Sequence, residues 1–340
     1  MVDEIQIGRG DALTSGLPPG LSILVPVYNS SEILPNLIER IIPVAKSLNV
    51  PFEVILVNDG SSDDSWKTIR RLATTHACVH GISMMRNYGQ HNALLAGLRL
   101  ATYATTITLD DDLQHPPEEL PKLIAKLSDG FDVVYGSPTG GTHGFFRNLA
   151  SVVTKLTLQN AMGVESARHV SAFRAFKTDL RRAFSTFQSP FVSLDVLLTW
   201  GTTNFGFVWV KHDERRLGRS AYTVWKLICH ALNMMTGFSV LPLQLASIIG
   251  FIFSFGGFAI LAYVLLRFMF YGSTVAGFPF LASIIAIFSG AQLFALGILG
   301  EYLARIHLRM MDKPSYVIHP ENEGELISGE RTAYETGKAD

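Results

Sequence analysis

Three consecutive aspartates are the residues in this sequence best suited to chemistry. Asp110, Asp111 and Asp112 end a short apolar run. In an extended chain residues i and i+2 point to the same side, so Asp110 and Asp112 can share one cation while Asp111 faces away. Gln114 would lie on that side too, and such hard oxygen ligands suit Mg²⁺ or Mn²⁺ bound together with diphosphate oxygens. The alternative is an acidic helix cap, because residues 115–119 (HPPEE) open a helix, where aspartate is favoured.

A further aspartate, Asp59, ends a second apolar run and precedes a turn at residues 60–64 (GSSDD). Its carboxylate could bind a ligand or close an Asx turn, and the residues alone favour neither role. The glycine-rich phosphate-binding motifs G-x-G-x-x-G, after the first strand, and G-x-x-x-x-G-K-[ST] are absent from the sequence. A phosphate-bearing ligand would therefore need another device, and a metal held by carboxylates is the obvious candidate.

The elements that must position these aspartates alternate along the N-terminal half of the chain. Runs rich in Val, Ile and Thr are predicted as strands at residues 21–27, 52–59, 78–85, 105–110 and 132–137. Helices are predicted between them at residues 31–48, 64–75, 90–101 and 117–127. Continuous apolar runs suit strands that are covered on both faces, so we expect a parallel, doubly wound α/β sheet. Such sheets bind ligands beyond the carboxyl ends of their strands, where the aspartates lie.

The last third of the chain holds two long stretches, residues 241–266 and 268–300, without Asp, Glu, Lys or Arg. A helix needs about 20 apolar residues to cross ~30 Å of hydrocarbon, so a transmembrane hairpin is predicted, with helices at about 241–266 and 280–302. Basic residues flank this hairpin at both ends: Lys211, Arg215, Arg216, Arg219, Lys226, Arg305, Arg309 and Lys313. The positive-inside rule then places both termini in the cytoplasm.

The composition agrees with a chain of mixed character. Its 340 residues have a mean hydropathy of +0.26 and 17% charged residues, too apolar for an ordinary soluble enzyme and too charged for a polytopic transporter. A hydrophobic content of 48% excludes disorder as the dominant state. The formal net charge of −1 argues against a protein that binds nucleic acid through bulk charge. Cys78 and Cys229 are the two cysteines, which excludes a disulfide framework and fits a reducing compartment.

The sequence is predicted to divide into five segments, and the protein is expected to be a multi-pass protein of the inner (cytoplasmic) membrane. The first twenty residues are polar, rich in Gly and Pro, and lack the apolar core of a signal peptide. Apolar residues after position 221 follow one helix face, as in a helix lying at a membrane surface or, alternatively, in an ordinary helix packed against the hairpin. The segments are a flexible tail (1–20), an α/β domain (21–221), an amphipathic juxtamembrane helix (222–238), the hairpin (239–306) and a cytoplasmic C-terminal tail (307–340).

Several segments resemble the motifs of family 2 glycosyltransferases, which have the GT-A fold. They are residues 25–32 (VPVYNSSE), 54–66 (VILVNDGSSDDSW), 86–101 (RNYGQHNALLAGLRLA) and 108–123 (TLDDDLQHPPEELPKL). Residues 212–227 (HDERRLGRSAYTVWKL) and 292–306 (QLFALGILGEYLARI) are similar to the membrane-anchored polyprenyl-phosphate glycosyltransferases, such as the dolichol-phosphate mannose synthases, bactoprenol glucosyltransferases and aminoarabinose transferases. The resemblance runs from about residue 21 to 318. It implies a Rossmann-like domain with a mostly parallel sheet, and it favours the Mg²⁺ or Mn²⁺ site over the helix cap.

The resemblance also implies roles for the matched residues. The nucleotide-sugar donor would contact Pro26, Tyr28, Asn29, Asp59, Gly60, Asn87 and Asp111. The metal would be held by Asp110, Asp112 and Gln114. The lipid phosphate would be bound by Arg147, Arg174, Arg215, Ser220 and Tyr222. Catalysis would depend on Asp110, Asp112, Arg215 and Arg219.

The implied reaction moves a sugar from a nucleotide diphosphate, with UDP preferred, to polyprenyl phosphate at the cytoplasmic membrane face, with inversion. A phosphate monoester has a second pKa of about 6 and is largely dianionic at neutral pH, so it needs no strong general base. The protein must position the reactants in line, neutralise the leaving diphosphate and hold the attacking phosphate. Arginine suits the last task because its planar fork binds phosphate bidentately.

The sequence departs from the family's pattern in two places. Pro138 follows Gly136-Ser137 where many members carry an arginine, which leaves open the cation that holds the lipid phosphate, with Arg147 as a substitute. Residues 168–170 (RHV) stand where many members have an acidic residue. Asp195 could be a distant base, or alternatively a structural aspartate.

Two other functions fit parts of the sequence. A processive membrane polysaccharide synthase would need a Q-x-x-R-W-type motif, and none of the four tryptophans follows an arginine. A non-catalytic membrane scaffold would have no need of Asp59, Asp110 and Asp112. The family also suggests a homo-oligomer, although no residue of this sequence specifies one.

Overall fold

A computed structural model of the chain describes residues 17–139, 169–189, 191–213, 241–271, 278–311 and 313–320. The chain divides into two compact units. The first comprises Met1–Tyr222 together with Lys313–Asp340, and the second is Thr223–Asp312. All the aspartates singled out above belong to the first unit.

Strands and helices alternate through the first unit. Its described strands are β1 (Leu21–Val27), β2 (Phe52–Asn58), β3 (Val79–Ser83), β4 (Thr105–Thr108), β5 (Val133–Pro138), β6 (Arg174–Lys177) and β7 (Phe205–Val210). Its described α-helices are α1 (Leu34–Ser47), α2 (Ser65–Thr75), α3 (Gln90–Leu100), α4 (Leu120–Ser128) and α5 (Leu194–Gly201). The five strands and four helices predicted in the N-terminal half form, with ends that differ by a few residues, because the apolar runs coincide with buried segments. The predicted juxtamembrane helix at residues 222–238 lies outside the described residues.

The burial of β1 and α1 shows why these segments fold as they do. Every residue of β1 is buried, as expected for a central strand with helices on both faces. In α1 the buried residues recur at helical spacing: Leu34, Leu37, Ile38, Ile41, Ile42 and Ala45. Residues of β1, β2 and α1 belong to one hydrophobic core. This core supports the sheet edge at which the aspartates emerge.

The described strands form one mixed sheet in the order β3-β2-β1-β4-β6-β5-β7. β1 pairs in parallel with β2 and β4, and β2 pairs in parallel with β3. β6 lies between β4 and β5 and runs antiparallel to both. The wholly parallel sheet predicted from the apolar runs is therefore wrong at β6, a strand of four residues (RAFK) without an apolar run of its own. The mostly parallel, Rossmann-like sheet implied by the resemblance is confirmed.

The second unit contains two long helices, α6 (Leu241–Tyr271) and α7 (Phe278–Met310). Both are longer than the predicted helices of the hairpin. Within them, Leu243–Val264 and Ile287–His307 are long and apolar enough to cross a membrane. The rings of Phe253 and Phe288 meet edge to face, with centroids 5.7 Å apart, so the two helices pack against each other.

Large apolar side chains cover the outside of this helix pair. Phe251 is 78% exposed and Phe255 is 80% exposed, and the same pattern continues along α7. A soluble protein rarely exposes so continuous an apolar surface, whereas a lipid environment favours it. The exposed surface thus supports the prediction of a membrane-spanning hairpin.

Residues 313–320, which we name the strap, follow α7 in the sequence and belong to the first unit. Ile318 of the strap forms an isolated antiparallel bridge with Met84, just beyond β3. The predicted C-terminal tail therefore contains a segment that is packed on the α/β unit.

Candidate active site

Three neighbouring parallel strands, β2, β1 and β4, end at one edge of the sheet. Because the strands share a direction, the residues that follow their carboxyl ends come together at this edge. Tyr28 and Asn29 follow β1, Asp59 follows β2, and the three aspartates lie just beyond β4. The predicted donor-binding and metal-binding residues thus lie along one edge, where doubly wound sheets bind ligands.

Asp59 is 3% exposed, and its carboxylate accepts hydrogen bonds from the backbone N–H groups of Tyr88, at 2.7 Å, and Gly89, at 2.8 Å. Burial raises the pKa of Asp59 to about 6, against the lowering effect of these two hydrogen bonds. The local turn is closed instead by Asn58, whose side-chain oxygen accepts the N–H of Ser61 at 3.2 Å. The predicted alternative, an Asx turn made by Asp59 itself, is therefore wrong.

Gly60 fits a position that a larger residue could not occupy. Its φ is +62°, in the left-handed region that glycine adopts at little cost. A Cβ at this position would lie 2.4 Å from the carbonyl carbon of Arg86 and 2.5 Å from the backbone nitrogen of Asn87. The turn after β2 therefore lies directly against the loop between β3 and α3. The side chain of Asn87, a predicted donor contact, is exposed on that loop.

The loop after β1 is tied to the turn after β2. The N–H of Asn29 donates to Ser61 Oγ at 3.0 Å, and the Asn29 side-chain oxygen accepts the N–H of Ser62 at 2.8 Å. The side chain of Tyr28 is 50% exposed beside them, whereas Pro26 is buried within β1. Of these predicted donor contacts, Tyr28 and Asn29 are therefore exposed at the sheet edge, and Pro26 is not.

The three aspartates have different partners. Asp110 accepts a hydrogen bond from Gln90 Nε2 at 2.5 Å, at the start of α3. Asp111 accepts the N–H of Tyr28 at 3.2 Å. The carboxylate of Asp111 is thus directed to the end of β1, beside Tyr28, which is also a predicted donor contact. Its orientation away from a cation shared by Asp110 and Asp112 stays a prediction.

The backbone turns directly after the aspartates. Asp112 accepts the N–H of Gln114 at 3.1 Å, and Leu113 between them has a φ of +59°. The chain is therefore not extended up to Gln114, which was the condition for placing that side chain beside the carboxylates. The structure leaves the metal-binding role of Gln114 as a prediction.

The electrostatics of the cluster suit a cation. Burial raises the pKa of Asp110 to about 7, with further raising contributions from the charges of Asp112 and Asp111. A divalent cation would relieve this repulsion, and the hard carboxylate oxygens match Mg²⁺ or Mn²⁺. Among the described residues, no group of three or more His, Cys, Asp or Glu side chains could hold a metal. An ion held by Asp110 and Asp112 would therefore need further oxygen ligands, such as those of a diphosphate.

Arg174 lies elsewhere than its predicted role requires. It is 1% exposed, its Nε donates to Thr108 Oγ1 at 3.0 Å, and its guanidinium forms an ion pair with Asp195. The Tyr135 hydroxyl donates to the same carboxylate at 3.0 Å, and burial raises the pKa of Tyr135 well above its ordinary value, so the hydroxyl keeps its proton. The direct contact with a lipid phosphate predicted for Arg174 is corrected to a buried ion pair, and Asp195 is a partner in that pair rather than a free base.

The Arg174–Asp195 pair lies close enough to the aspartate cluster to act on it. The positive charge of Arg174 lowers the pKa of Asp110 against the raising effect of the neighbouring carboxylates. The positive charge of Arg174 therefore favours the ionised form of Asp110.

The segment after β7 begins beside the aspartate loop. The N–H of Asp213 donates to the Gln114 carbonyl at 2.9 Å, and the N–H of Lys211 donates to Glu119 Oε2 at 3.1 Å. The remaining predicted contacts of the lipid phosphate lie outside the described residues: Arg147, Arg215, Arg219, Ser220 and Tyr222.

The two departures from the family's pattern lie near each other. Ser137 Oγ, one residue before Pro138, is 2.9 Å from Nδ1 of His169, whose ring stacks on Phe207 at 3.7 Å between centroids. A histidine, a serine and an aromatic ring therefore occupy this part of the described structure.

Three contacts of the site were not predicted. Gln90 binds Asp110, and the backbone N–H groups of Tyr88 and Gly89 hold Asp59. All three residues lie within the motif at residues 86–101, so the motif indicated their importance. It could not indicate their partners, Asp59 and Asp110, which follow the strands β2 and β4. Backbone donors also carry no side-chain signature that a motif could reveal.

Comparison with known proteins identifies the family. The sequence model of the family described as "Glycosyl transferase family 2" matches residues 22–182. The undecaprenyl-phosphate 4-deoxy-4-formamido-L-arabinose transferases of Serratia proteamaculans and Proteus mirabilis are 34% and 35% identical to the chain over 301 residues, covering 88% of this chain and 92% of each relative. The enzyme of that name from Salmonella choleraesuis is 34% identical over 310 residues, covering 89% of this chain and 94% of the relative.

Solved structures include a glucosyl-3-phosphoglycerate synthase from Mycobacterium tuberculosis in complex with Mn²⁺, UDP and phosphoglyceric acid. It is 19% identical, covers 64% of this chain and 76% of its own, and has a TM-score of 0.49. The sequence relatives match nearly the whole chain at more than 30% identity. The chain therefore belongs to glycosyl transferase family 2 and is a glycosyltransferase, as its motifs predicted.

Proposed function

We propose that the protein transfers a sugar from a nucleotide diphosphate sugar to polyprenyl phosphate, with inversion, at the cytoplasmic face of the inner membrane. The names of the three relatives reported above, which are undecaprenyl-phosphate sugar transferases, support the acceptor. The observation that carries the donor side is the meeting of Asp59, Tyr28 and the aspartate cluster at one sheet edge in the first unit.

The donor would lie along this edge. Asp59, held by two N–H groups, would present a carboxylate to the donors of the nucleotide base, with UDP as the preferred nucleotide. The exposed side chain of Tyr28 would cover the base. Asp110 and Asp112 would hold Mg²⁺ or Mn²⁺ with the diphosphate, and Gln114 is proposed as a further ligand. When bound, that ion would neutralise the leaving diphosphate.

The acceptor supplies its own nucleophile. A phosphate oxygen of the lipid forms a bond to the anomeric carbon while the bond from that carbon to the diphosphate breaks, and the nucleoside diphosphate leaves. One displacement inverts the configuration at the anomeric carbon. No proton has to be removed from a phosphate dianion, so a buried Asp195 in an ion pair is compatible with the reaction.

Cationic residues must hold the attacking phosphate, and Arg215, Arg219, Ser220 and Tyr222 are proposed for this role, with Arg147 as a further candidate. The support is the chain path, since Asp213 is bonded to the aspartate loop at Gln114. Arg215 follows two residues later in the sequence. Arginine binds a phosphate with two parallel hydrogen bonds and keeps its charge, which suits this task.

The proposed topology has two crossings with both flanks in the cytoplasm. Two helices are apolar and long enough for this, and basic residues flank both. The strap adds support, because it follows α7 yet packs on the α/β unit that precedes α6. This contact supports the proposal that the chain crosses the membrane an even number of times between these two parts.

A transfer assay tests the function. Purified full-length protein in vesicles with undecaprenyl phosphate and Mg²⁺ is given labelled UDP-sugars and GDP-sugars, including the 4-deoxy-4-formamido-L-arabinose of the relatives' names. We expect one labelled lipid, with inverted anomeric configuration by NMR. Absence of a lipid product with every donor and with either metal would overturn the proposal.

Two variants locate the chemistry. Asp112→Asn should lower transfer by about 100-fold or more, because a metal contributes several kcal/mol to the transition state. Asp129→Asn, which changes an exposed surface aspartate paired with Lys126, should leave transfer unchanged. Full activity of the Asp112→Asn protein would show that the metal assignment is wrong.

A further inference from the structure

The strap is bonded to the end of an edge strand. The N–H of Met85 donates to the Val317 carbonyl at 2.9 Å, and the N–H of His319 donates to the Ser83 carbonyl at 2.8 Å. β3 is an edge strand of the described sheet, so these bonds supply partners on its open side. The strap thus continues the sheet by a short antiparallel pairing just where β3 passes into the loop of residues 84–89.

Side chains hold the strap at its other end. Ser315 is 3% exposed, and its Oγ accepts the N–H of Ser189 at 3.1 Å. The Tyr316 hydroxyl accepts a hydrogen bond from Arg99 Nη1 at 3.2 Å, and the guanidinium lies 5.4 Å from the centre of the Tyr316 ring. Buried and aromatic contacts therefore fix this segment on the α/β unit.

The loop of residues 84–89 connects the strap to Asp59. At the start of the loop, Met84 is 2% exposed and its N–H donates to the Asn58 carbonyl at 2.9 Å. The side chain of the next residue, Met85, is 51% exposed, so at this residue the backbone bond to Val317 of the strap is the described contact that holds the loop. Arg86 and Asn87 lie against Gly60, where an added Cβ would be 2.4 Å from the carbonyl carbon of Arg86 and 2.5 Å from the backbone nitrogen of Asn87. The backbone N–H groups of Tyr88 and Gly89 then donate to the carboxylate of Asp59. A continuous series of backbone contacts therefore runs from the strap to the carboxylate.

We propose that the strap is a positioning element of the donor site. Its bonds to Ser83 and Met85 hold residues 84–89 in the conformation in which that loop binds Asp59 and supports the turn at Gly60. The segment that follows the second apolar helix thereby sets the shape of the pocket for the nucleotide base. This inference rests on the proposed function for the identity of the ligand, but the effect on the loop is independent of it.

Amide hydrogen exchange of the full-length protein tests the effect on the loop. His319→Pro deletes the N–H that binds Ser83, whereas His319→Ala keeps it. Truncation after residue 312 removes the strap, and truncation after residue 320 retains it. We expect the amides of Tyr88 and Gly89 to exchange about fivefold faster in His319→Pro, as for one lost hydrogen bond, and faster still without the strap. The protein truncated after residue 320 and the amides of β1 should match the wild type, and exchange in His319→Pro should exceed that in His319→Ala.

The same four proteins are then compared in UDP binding with Mg²⁺ and in steady-state transfer. His319→Pro should weaken UDP binding and raise the KM for the donor by about fivefold while kcat is retained. Equal exchange in His319→Pro and His319→Ala would overturn the proposal, and so would faster exchange with an unchanged KM. If the protein truncated after residue 312 does not fold, the comparison of His319→Pro with His319→Ala still tests the proposal. Failure of the wild type to bind UDP would refute the proposed donor, while the exchange comparison would still test the strap.

Discussion

Arg174 can be tested for two different roles. Its motif predicts a contact with the lipid phosphate, whereas its packing indicates a buried ion pair with Asp195. Arg174 is 1% exposed and Asp195 is 8% exposed. Arg174→Met would remove the ion pair and the hydrogen bond to Thr108, and would leave the Asp195 carboxylate with the Tyr135 hydroxyl among its described partners. Removing one partner of a buried ion pair costs about 3–5 kcal/mol, because an uncompensated charge stays buried.

The assay is thermal unfolding of the detergent-solubilised protein. A loss of 1 kcal/mol lowers the melting temperature by about 2–4 °C in a domain of 150–250 residues, so Arg174→Met should lower it by roughly 6–20 °C. The double variant Arg174→Met/Asp195→Leu removes both charges and should recover a large part of that loss. The recovery is the signature of a charge left unpaired in the interior.

One result would refute this reasoning. If Arg174→Met melts within about 2 °C of the wild type but no longer makes the labelled lipid, the side chain contacts the acceptor phosphate and the buried pair is not its main role. A double variant no more stable than Arg174→Met would count against the unpaired-charge explanation as well.

Two further predictions concern the base pocket. Gly60→Ala should weaken uridine binding about tenfold, since a left-handed alanine costs about 1–2 kcal/mol and its Cβ would displace the Arg86–Asn87 peptide. Gly130→Ala is the control, because Gly130 has a φ of +101° but an added Cβ there would meet nothing within 4 Å. This variant should lower stability without changing the affinity for uridine. Equal affinities in the two variants would contradict the predicted clash at Gly60. The pKa of Asp59 is raised to about 6, so uridine affinity should fall as the pH falls through about 6 and the carboxylate becomes protonated. The free energy of unfolding should rise over the range from about pH 6 down to about pH 4, because the folded protein binds this proton more tightly than the unfolded chain. Calorimetric titration at several pH values checks this, and pH-independent affinity would show that the charge of Asp59 is not used.

β1 and β2 could be predicted because they are mostly apolar and buried, and their predicted and observed bounds nearly coincide. β7 was not predicted, although its sequence (FGFVWV) is apolar. β6 was missed because its four residues include Arg174 and Lys177 and show no apolar run. Its place between β4 and β5 depends on pairing with strands far away in the chain.

The site was predictable to the same degree. The position of Asp59 and of the aspartates at strand ends followed from the alternation of strands and helices. The contact of Asp111 with the N–H of Tyr28 did not, because it joins residues that are 83 positions apart in the chain. The burial of Arg174 could not be predicted either, because its partner Asp195 lies on α5.

The family, the α/β alternation, the two apolar helices and the acidic residues at the strand ends can all be recognised in the amino-acid sequence. These properties depend on residue type and local spacing, which reflect burial and chemistry directly. The fold shows which groups meet: Gln90 with Asp110, the loop N–H groups with Asp59, and the strap with the end of β3. Such contacts arise from the register between distant segments and from turns of a few residues, and neither leaves a periodic trace in the sequence.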